Sequence, residues 1–264
     1  MTMINDVISP DLKATLRRLK LSRILDTLPE RLTLARQQKM PHQDLMLLVL
    51  QDEVARRDSQ AAVSRAKEAH LDAKAQLEQW DETATVSFDR ALLNELASLR
   101  FLDSHHHVLI VGPVGVGKTF LAHALGHIAC RRGHSVLALP ADKALKTLRQ
   151  ARLINSYEAE LRKLLAVDLL ILDDFCLDAM DGQESRDAYE ILTERHRSGS
   201  VIVTSNRGPD EWLSAFADPL RAQSAIDRFV NNAYDLVIEG ESYRSRLKPS
   251  FGATPDQPAQ LPNR

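Results

Sequence analysis

Cysteine is nearly absent. The two present, Cys130 and Cys176, are too few for a disulfide framework or a thiolate metal cluster. No apolar run approaches the roughly 20 residues that a membrane-spanning helix needs, and the N-terminus lacks a signal-peptide core. These absences argue against secreted, membrane-embedded and zinc-dependent proteins and point to a cytoplasmic one. Aromatic residues make up only 5% of the 264. Between residues 41 and 100 only Trp80 and Phe88 occur, a thin supply for the stacking platforms that grip single-stranded nucleic acid.

An excess of either charge is also missing, with 34 Lys and Arg against 36 Asp and Glu. The near-neutral total hides segregation. Residues 1–40 carry eight basic against four acidic side chains, residues 131–163 eight against three, and residues 164–195 two against nine. Two basic regions leave nucleic-acid binding open.

What is present begins with helices. Ser9-Pro10 is a helix start, a capping hydroxyl followed by proline where a missing N–H costs nothing. Leu12, Leu16 and Leu19 then recur at helical spacing, and Leu21, Leu25, Leu28 and Leu32 repeat the stripe. Pro29 kinks this run or starts a new helix, and Pro41 opens another. From Asp52 to Gln79 the chain is charged and Ala-rich without Gly or Pro, and reads as one helix with Arg56, Lys67 and Lys74 on one face. Residues 1–80 are thus expected to form a small helical domain, and 81–104 a connector with a short helix over Asp89–Leu99.

From His107 the pattern changes to short apolar runs: His107–Gly112, Ser135–Leu139, Leu169–Leu172, Ser200–Ser205 and Tyr234–Glu239. Helix-length segments separate the first four, the signature of a parallel α/β sheet covered on both faces. Residues 105–248 are therefore expected to form an α/β domain with a five-stranded parallel sheet. The Pro-rich stretch 249–264 is expected to be a disordered tail.

Gly112-Pro113-Val114-Gly115-Val116-Gly117-Lys118-Thr119 fits G-x-x-x-x-G-K-[ST] between a strand and a helix, the frame that confirms a phosphate-binding loop. Its backbone N–H groups can cradle phosphates, Lys118 can reach the β- and γ-phosphates, and Thr119 can offer its hydroxyl to Mg²⁺. Phe120 opens the helix that follows. Asp173 and Asp174 end an apolar strand, on the edge where such sheets bind ligands. Asp173 suits the metal or its water shell, and Asp174 suits orienting or deprotonating the attacking water. Asn206 follows the next strand and can position water near the γ-phosphate, or simply make a turn.

Other features divide more evenly. Arg228 can serve as a finger in a neighbouring subunit's site, or pair locally with Asp227. Lys143, Lys146, Arg149 and Arg152 step every three residues into a basic ridge suited to a phosphate backbone, or to solvent. His105-His106-His107 cannot converge on one ion, since successive strand residues point in opposite directions. Cys176 has no evident base partner.

Together, GPVGVGKTFLAHALG, DLLILDDF, SVIVTSNRGPDEW, SAIDRF and EGESYRSR resemble the IstB-like ATPases. These are transposition helpers of bacterial insertion sequences, AAA+ relatives of the DnaC helicase loaders. LKLSRILDTLPERL and FDRALLNELASLRFL extend the resemblance to about residues 10–248. It implies an ATPase using ATP and Mg²⁺, with Asn206 reading the γ-phosphate, Arg228 as arginine finger and Arg244 as a second sensor. It implies ATP-dependent homo-oligomers on double-stranded DNA that recruit and stimulate a transposase, nucleoid-associated when DNA-bound. Two departures stand out: Asp174 where many AAA+ proteins have glutamate, and no sign of a C-terminal helical lid. The alternatives are a helicase loader on single-stranded DNA, a small-molecule kinase, and a nucleotide-binding scaffold without turnover.

Overall fold

The computed structural model describes residues 8–247; the proposed tail at 249–264 lies outside them. The chain opens with α1 (Pro10–Arg18), α2 (Ile24–Gln37) and α3 (His42–Glu68). Ser9 caps α1 by accepting from the Leu12 N–H at 3.2 Å. Pro29 lies inside α2 rather than at a new start, and α2 packs along α3 with Arg31 donating to both oxygens of Asp52 at 2.6 and 2.9 Å.

The expected helix over 52–79 stops at Glu68. His70 takes a left-handed conformation (φ 59°), and the Leu71 N–H closes back on the Ala66 carbonyl at 3.1 Å, a Schellman-type termination formed without glycine. The chain turns here because its next residues belong to the neighbouring layer. Leu71 and Ala75 are buried, and the Ala138 N–H bonds the Ala69 carbonyl at 2.9 Å.

After β1 (Val86–Ser87) come α4 (Arg90–Ala97) and α5 (Arg100–Asp103), the first capped by Asp89. The α/β part then alternates: β2 (His107–Val111), α6 (Lys118–Arg131), β3 (Val136–Pro140), α7 (Ala141–Leu153), α8 (Tyr157–Ala166), β4 (Leu169–Asp173), α9 (Gly182–Arg195) and β5 (Ser200–Ser205). It continues through α10 (Pro209–Trp212), α11 (Pro219–Val230), β6 (Ala233–Val237) and β7 (Glu239–Gly240). Five strands form one parallel sheet in the order β3-β4-β5-β2-β6. The expected strand bounds hold to within two residues.

The strands are apolar on both faces because both are covered. Val108, Ile110, Leu169, Ile171 and Ile202 face α3–α6, while Leu109, Leu170, Leu172, Val201 and Val203 face α7–α11. The antiparallel pair β1–β7 had no counterpart in the sequence reading; it ties the connector to the chain just past the last sheet strand.

Candidate nucleotide site

The chain leaves β2, which lies between β5 and β6, and makes the phosphate-loop turn at the carboxyl edge of the sheet. This is a topological switch point, where a crevice opens in such sheets. Gly115 and Gly117 have φ of 84° and 101°, curling the loop as only glycine does without strain. They also leave no room for a side chain: a Cβ on Gly115 would lie 2.1 Å from the Ser242 hydroxyl, and one on Gly117 2.8 Å from the Trp80 ring.

Lys118, buried beneath the loop, donates to the carbonyls of Gly112 and Pro113 at 2.8 and 2.7 Å and to Oδ1 of Asn206. Burial lowers its affinity for a proton, with Asp174 and Asp173 pulling the other way. Register places the ends of β4 and β5 beside the loop. Asp173 accepts from the Thr119 hydroxyl at 2.9 Å and from the Thr204 hydroxyl. A threonine hydroxyl and a carboxylate in direct contact are the oxygen donors that a hard, small divalent cation takes, so these residues fit Mg²⁺ by donor chemistry. Asp174 is left-handed (φ 53°), and its N–H is held by the Thr204 hydroxyl at 3.0 Å. Burial and the adjacent Asp173 raise its pKa above the ordinary aspartate value. That is the direction a proton acceptor needs.

A cavity of about 420 Å³ runs from this edge across the loop. It brings together Val114 to Phe120, Asp174, Asn206 and Arg244 from the expected set, and adds Gln79, Trp80, Asp81, Ala84, Leu177 and Tyr243, which the sequence reading missed. Trp80 stacks edge-on against Phe88 and Phe120, both at 5.5 Å. Tyr243 donates its backbone N–H to the Gly115 carbonyl at 2.9 Å. Trp80 and the Tyr243 beside Arg244 were visible as aromatics, yet nothing local marked them as walls of a pocket.

Arg228 does not line this cavity. It sits on α11, half-buried, and donates to the Tyr189 hydroxyl at 3.2 Å; its expected local partner Asp227 instead accepts from Asn231 at 2.8 Å. The basic ridge is largely satisfied within the chain. Lys146 pairs with Asp142, Arg149 with Asp181, and Arg152 with buried Asp187 while stacking on Tyr157 at 3.8 Å. Lys143 and Lys67 are exposed, whereas Arg56 is bidentate with Glu53 at 2.8 and 2.9 Å. Lys74 lies beyond the end of α3, off the helical face it was expected to share. The Cys176 thiol is pushed up to about 12 by burial, a poor nucleophile. His107 is fully buried, its ring stacked on Phe229 at 5.1 Å.

A model of the family described as IstB-like ATP binding protein matches residues 14–250. The chain belongs to this family. It is 37% identical over 244 residues to an insertion-sequence protein of Mycobacterium tuberculosis described as ATP-binding, covering 92% of this chain and 97% of that one. It is 35% identical to the ATP-binding protein named for insertion sequence IS21 in Pseudomonas aeruginosa, covering 92% and 91%. A crystal structure of the DnaC helicase loader superposes with a TM-score of 0.56 at 20% identity, over 63% of this chain and 97% of that one. The replication initiator DnaA, solved with AMPPCP and single-stranded DNA, gives 0.52 at 24%, over 65% and 51%. The fold is thus that of AAA+ P-loop proteins, within an insertion-sequence ATP-binding family. Among the described residues no helix is long and apolar enough to cross a membrane.

Proposed function

We propose that this IstB-like protein is a DNA-dependent ATPase of transposition. It oligomerises with ATP on duplex target DNA, recruits and stimulates the transposase of its element, and hydrolyses ATP to reset the assembly. The observation that carries the reading is the convergence of Lys118, Thr119, Asp174 and Asn206 on one cavity, with Asp173 bonded to Thr119 behind them and Arg228 outside.

Lys118 exchanges its carbonyl acceptors for β- and γ-phosphate oxygens, and the loop N–H groups hold the rest of the triphosphate. Thr119 and Asp173 would hold Mg²⁺, which would supply positive charge against that building on the phosphates. Asp174 accepts a proton from water as its oxygen bonds to the γ-phosphorus; the bond to the bridging oxygen breaks and ADP leaves. Asn206 orients that water, and Arg244 reads the nucleotide from the cavity rim.

Arg228, remote from its own cavity, completes the site of the next subunit, so nucleotide state and oligomer state are linked. Contacts to DNA then repeat from subunit to subunit around the duplex. Of the ridge, Lys143 is the side chain best placed for them, because its three companions are engaged by acids.

The deciding experiment measures binding to duplex and single-stranded DNA of equal length, across salt, with ATP, ADP or no nucleotide. Large assemblies on duplex DNA only with ATP support this reading. A preference for single strands replaces it with the helicase-loader function that the DnaC-like fold equally accommodates. Phosphate release is followed in the same samples with ATP, and its absence with DNA leaves a scaffold without turnover.

A further inference from the structure

Tyr189 lies in the middle of α9, a helix that starts just beyond the Asp173–Asp174 edge. Its N-terminus is locked by a reciprocal capping box between Asp181 and Glu184. Its interior is fixed by Asp187, which takes Arg152 and Tyr157 from the facing helices. The Tyr189 ring packs against the α7–α11 core, while its hydroxyl faces α11 and meets both Ser224 and the Arg228 guanidinium. Arg228 stands in the last turn of α11. A long, rotamer-rich side chain in such a place loses substantial entropy when it must hold one direction. The Tyr189 hydroxyl is its side-chain partner among the described residues.

We propose that Tyr189 is the positioning residue of the arginine finger: its hydroxyl holds Arg228 in the orientation that reaches the neighbouring subunit's γ-phosphate. The inference rests on the finger reading of Arg228 given above. It adds that the finger is aimed by α9, the helix that follows the finger subunit's own Asp173–Asp174 loop. Each site is thereby joined to the next through one rigid element. The guanidinium also draws the Tyr189 hydroxyl below the ordinary phenol pKa, as expected for a bond that strengthens the acceptor.

The test uses the full chain, a linear duplex and steady-state ATP turnover, with melting temperature and ADP affinity as folding controls. Tyr189→Phe keeps the packed ring and removes only the oxygen. It is expected to lower kcat roughly 10-fold or more, the scale of one lost hydrogen bond to a charged group, with KM for ATP unchanged. Arg228→Ala is expected to abolish most turnover, and Tyr189→Phe added to it to do nothing further, because the two act as a unit. Wild-type turnover in Tyr189→Phe, or a defect that multiplies with that of Arg228→Ala, overturns the inference while leaving the finger intact. Unchanged turnover in Arg228→Ala itself overturns the finger and with it the role of Tyr189. Those two failures appear in different variants.

Discussion

In β2, β4 and β5 the only residues short of full burial are Val111 and Asp173 at the strand ends, whereas α1 buries none of its nine residues. The contrast continues along α3. Met46, Leu47, Leu50 and Val54 are 65, 55, 45 and 57% exposed, and in its C-terminal half the helix meets the sheet domain, where Arg65 donates to the Cys130 carbonyl at 2.9 Å. The α/β part is held by apolar burial on two faces. The N-terminal helices bury far less, Ile24, Leu28 and Ala35 of α2, and add the Arg31–Asp52 pair between α2 and α3 and the Glu53 pairs with Arg56 and Arg57 within α3. On this division the sheet part is expected to fold for itself and the helices to lean on it. Under the proposed function, that division puts chemistry on the rigid part and leaves the less buried part for assembly.

The most severe break separates function from fold. Lys118→Ala removes several charge-assisted bonds at roughly 1.5–3 kcal/mol each, so ATP affinity should fall about 100-fold or more and ATP-dependent assembly with it. Hydrogen exchange in the N-terminal helices of the free protein should stay unchanged. A Lys118→Ala protein that still oligomerises with ATP breaks the linkage.

Next comes the core. Leu170→Ala, at a fully buried sheet position, should cost roughly 2–5 kcal/mol and lower the melting transition of both parts. If the N-terminal helices melt independently, they do not lean on the sheet.

Acid sharpens the comparison further. Burial, reinforced by His196 and Arg195, holds His107 at about 3, far below its ordinary 6.5. Between these values the unfolded chain binds the extra proton, so sheet stability should fall as pH drops from 6.5 toward 3, by at most about 1.4 kcal/mol per pH unit. In the N-terminal helices, hydrogen bonds from Arg56 and Arg57 hold Glu53 at about 2 against an ordinary 4.5. Their contribution is present above 4.5 and lost as pH falls toward 2. Acid should therefore weaken the sheet first, and His107→Gln should flatten that limb in a melting series across pH. The smallest effect is expected at the exposed stripe, where Leu47→Ala should shift stability by no more than about 0.5 kcal/mol. A larger loss means that this face is covered.

Much of this was legible because it is local. The phosphate loop, the two strand-end aspartates and the buried strands each announce themselves within ten residues. Strand order did not, since β2 enters the middle of the sheet only through tertiary pairing. The end of α3 was hidden because His70, not a glycine or proline, supplies the left-handed turn. Segment charge was legible but its pairing was not: the basic stretch 131–163 and the acidic stretch 164–195 face each other, so Arg149 and Arg152 on α7 pair with Asp181 and Asp187 at α9. Trp80 and Tyr243 were missed for the same reason as strand order, their partner being a loop far away in the chain.

That distance has a consequence during synthesis. The phosphate loop is complete once residue 119 is made, but one wall of its pocket comes from Gln79 to Ala84 and another from Tyr243 and Arg244. The walls are joined by the β1–β7 pair and by Arg246, which donates to the Thr83 carbonyl at 2.8 Å. A nascent chain can therefore display the loop while the cavity still lacks its far wall. Under the proposed function, tight nucleotide capture would be deferred until residues near 246 have left the ribosome, and the ATP-dependent assembly would start from subunits whose pocket is closed.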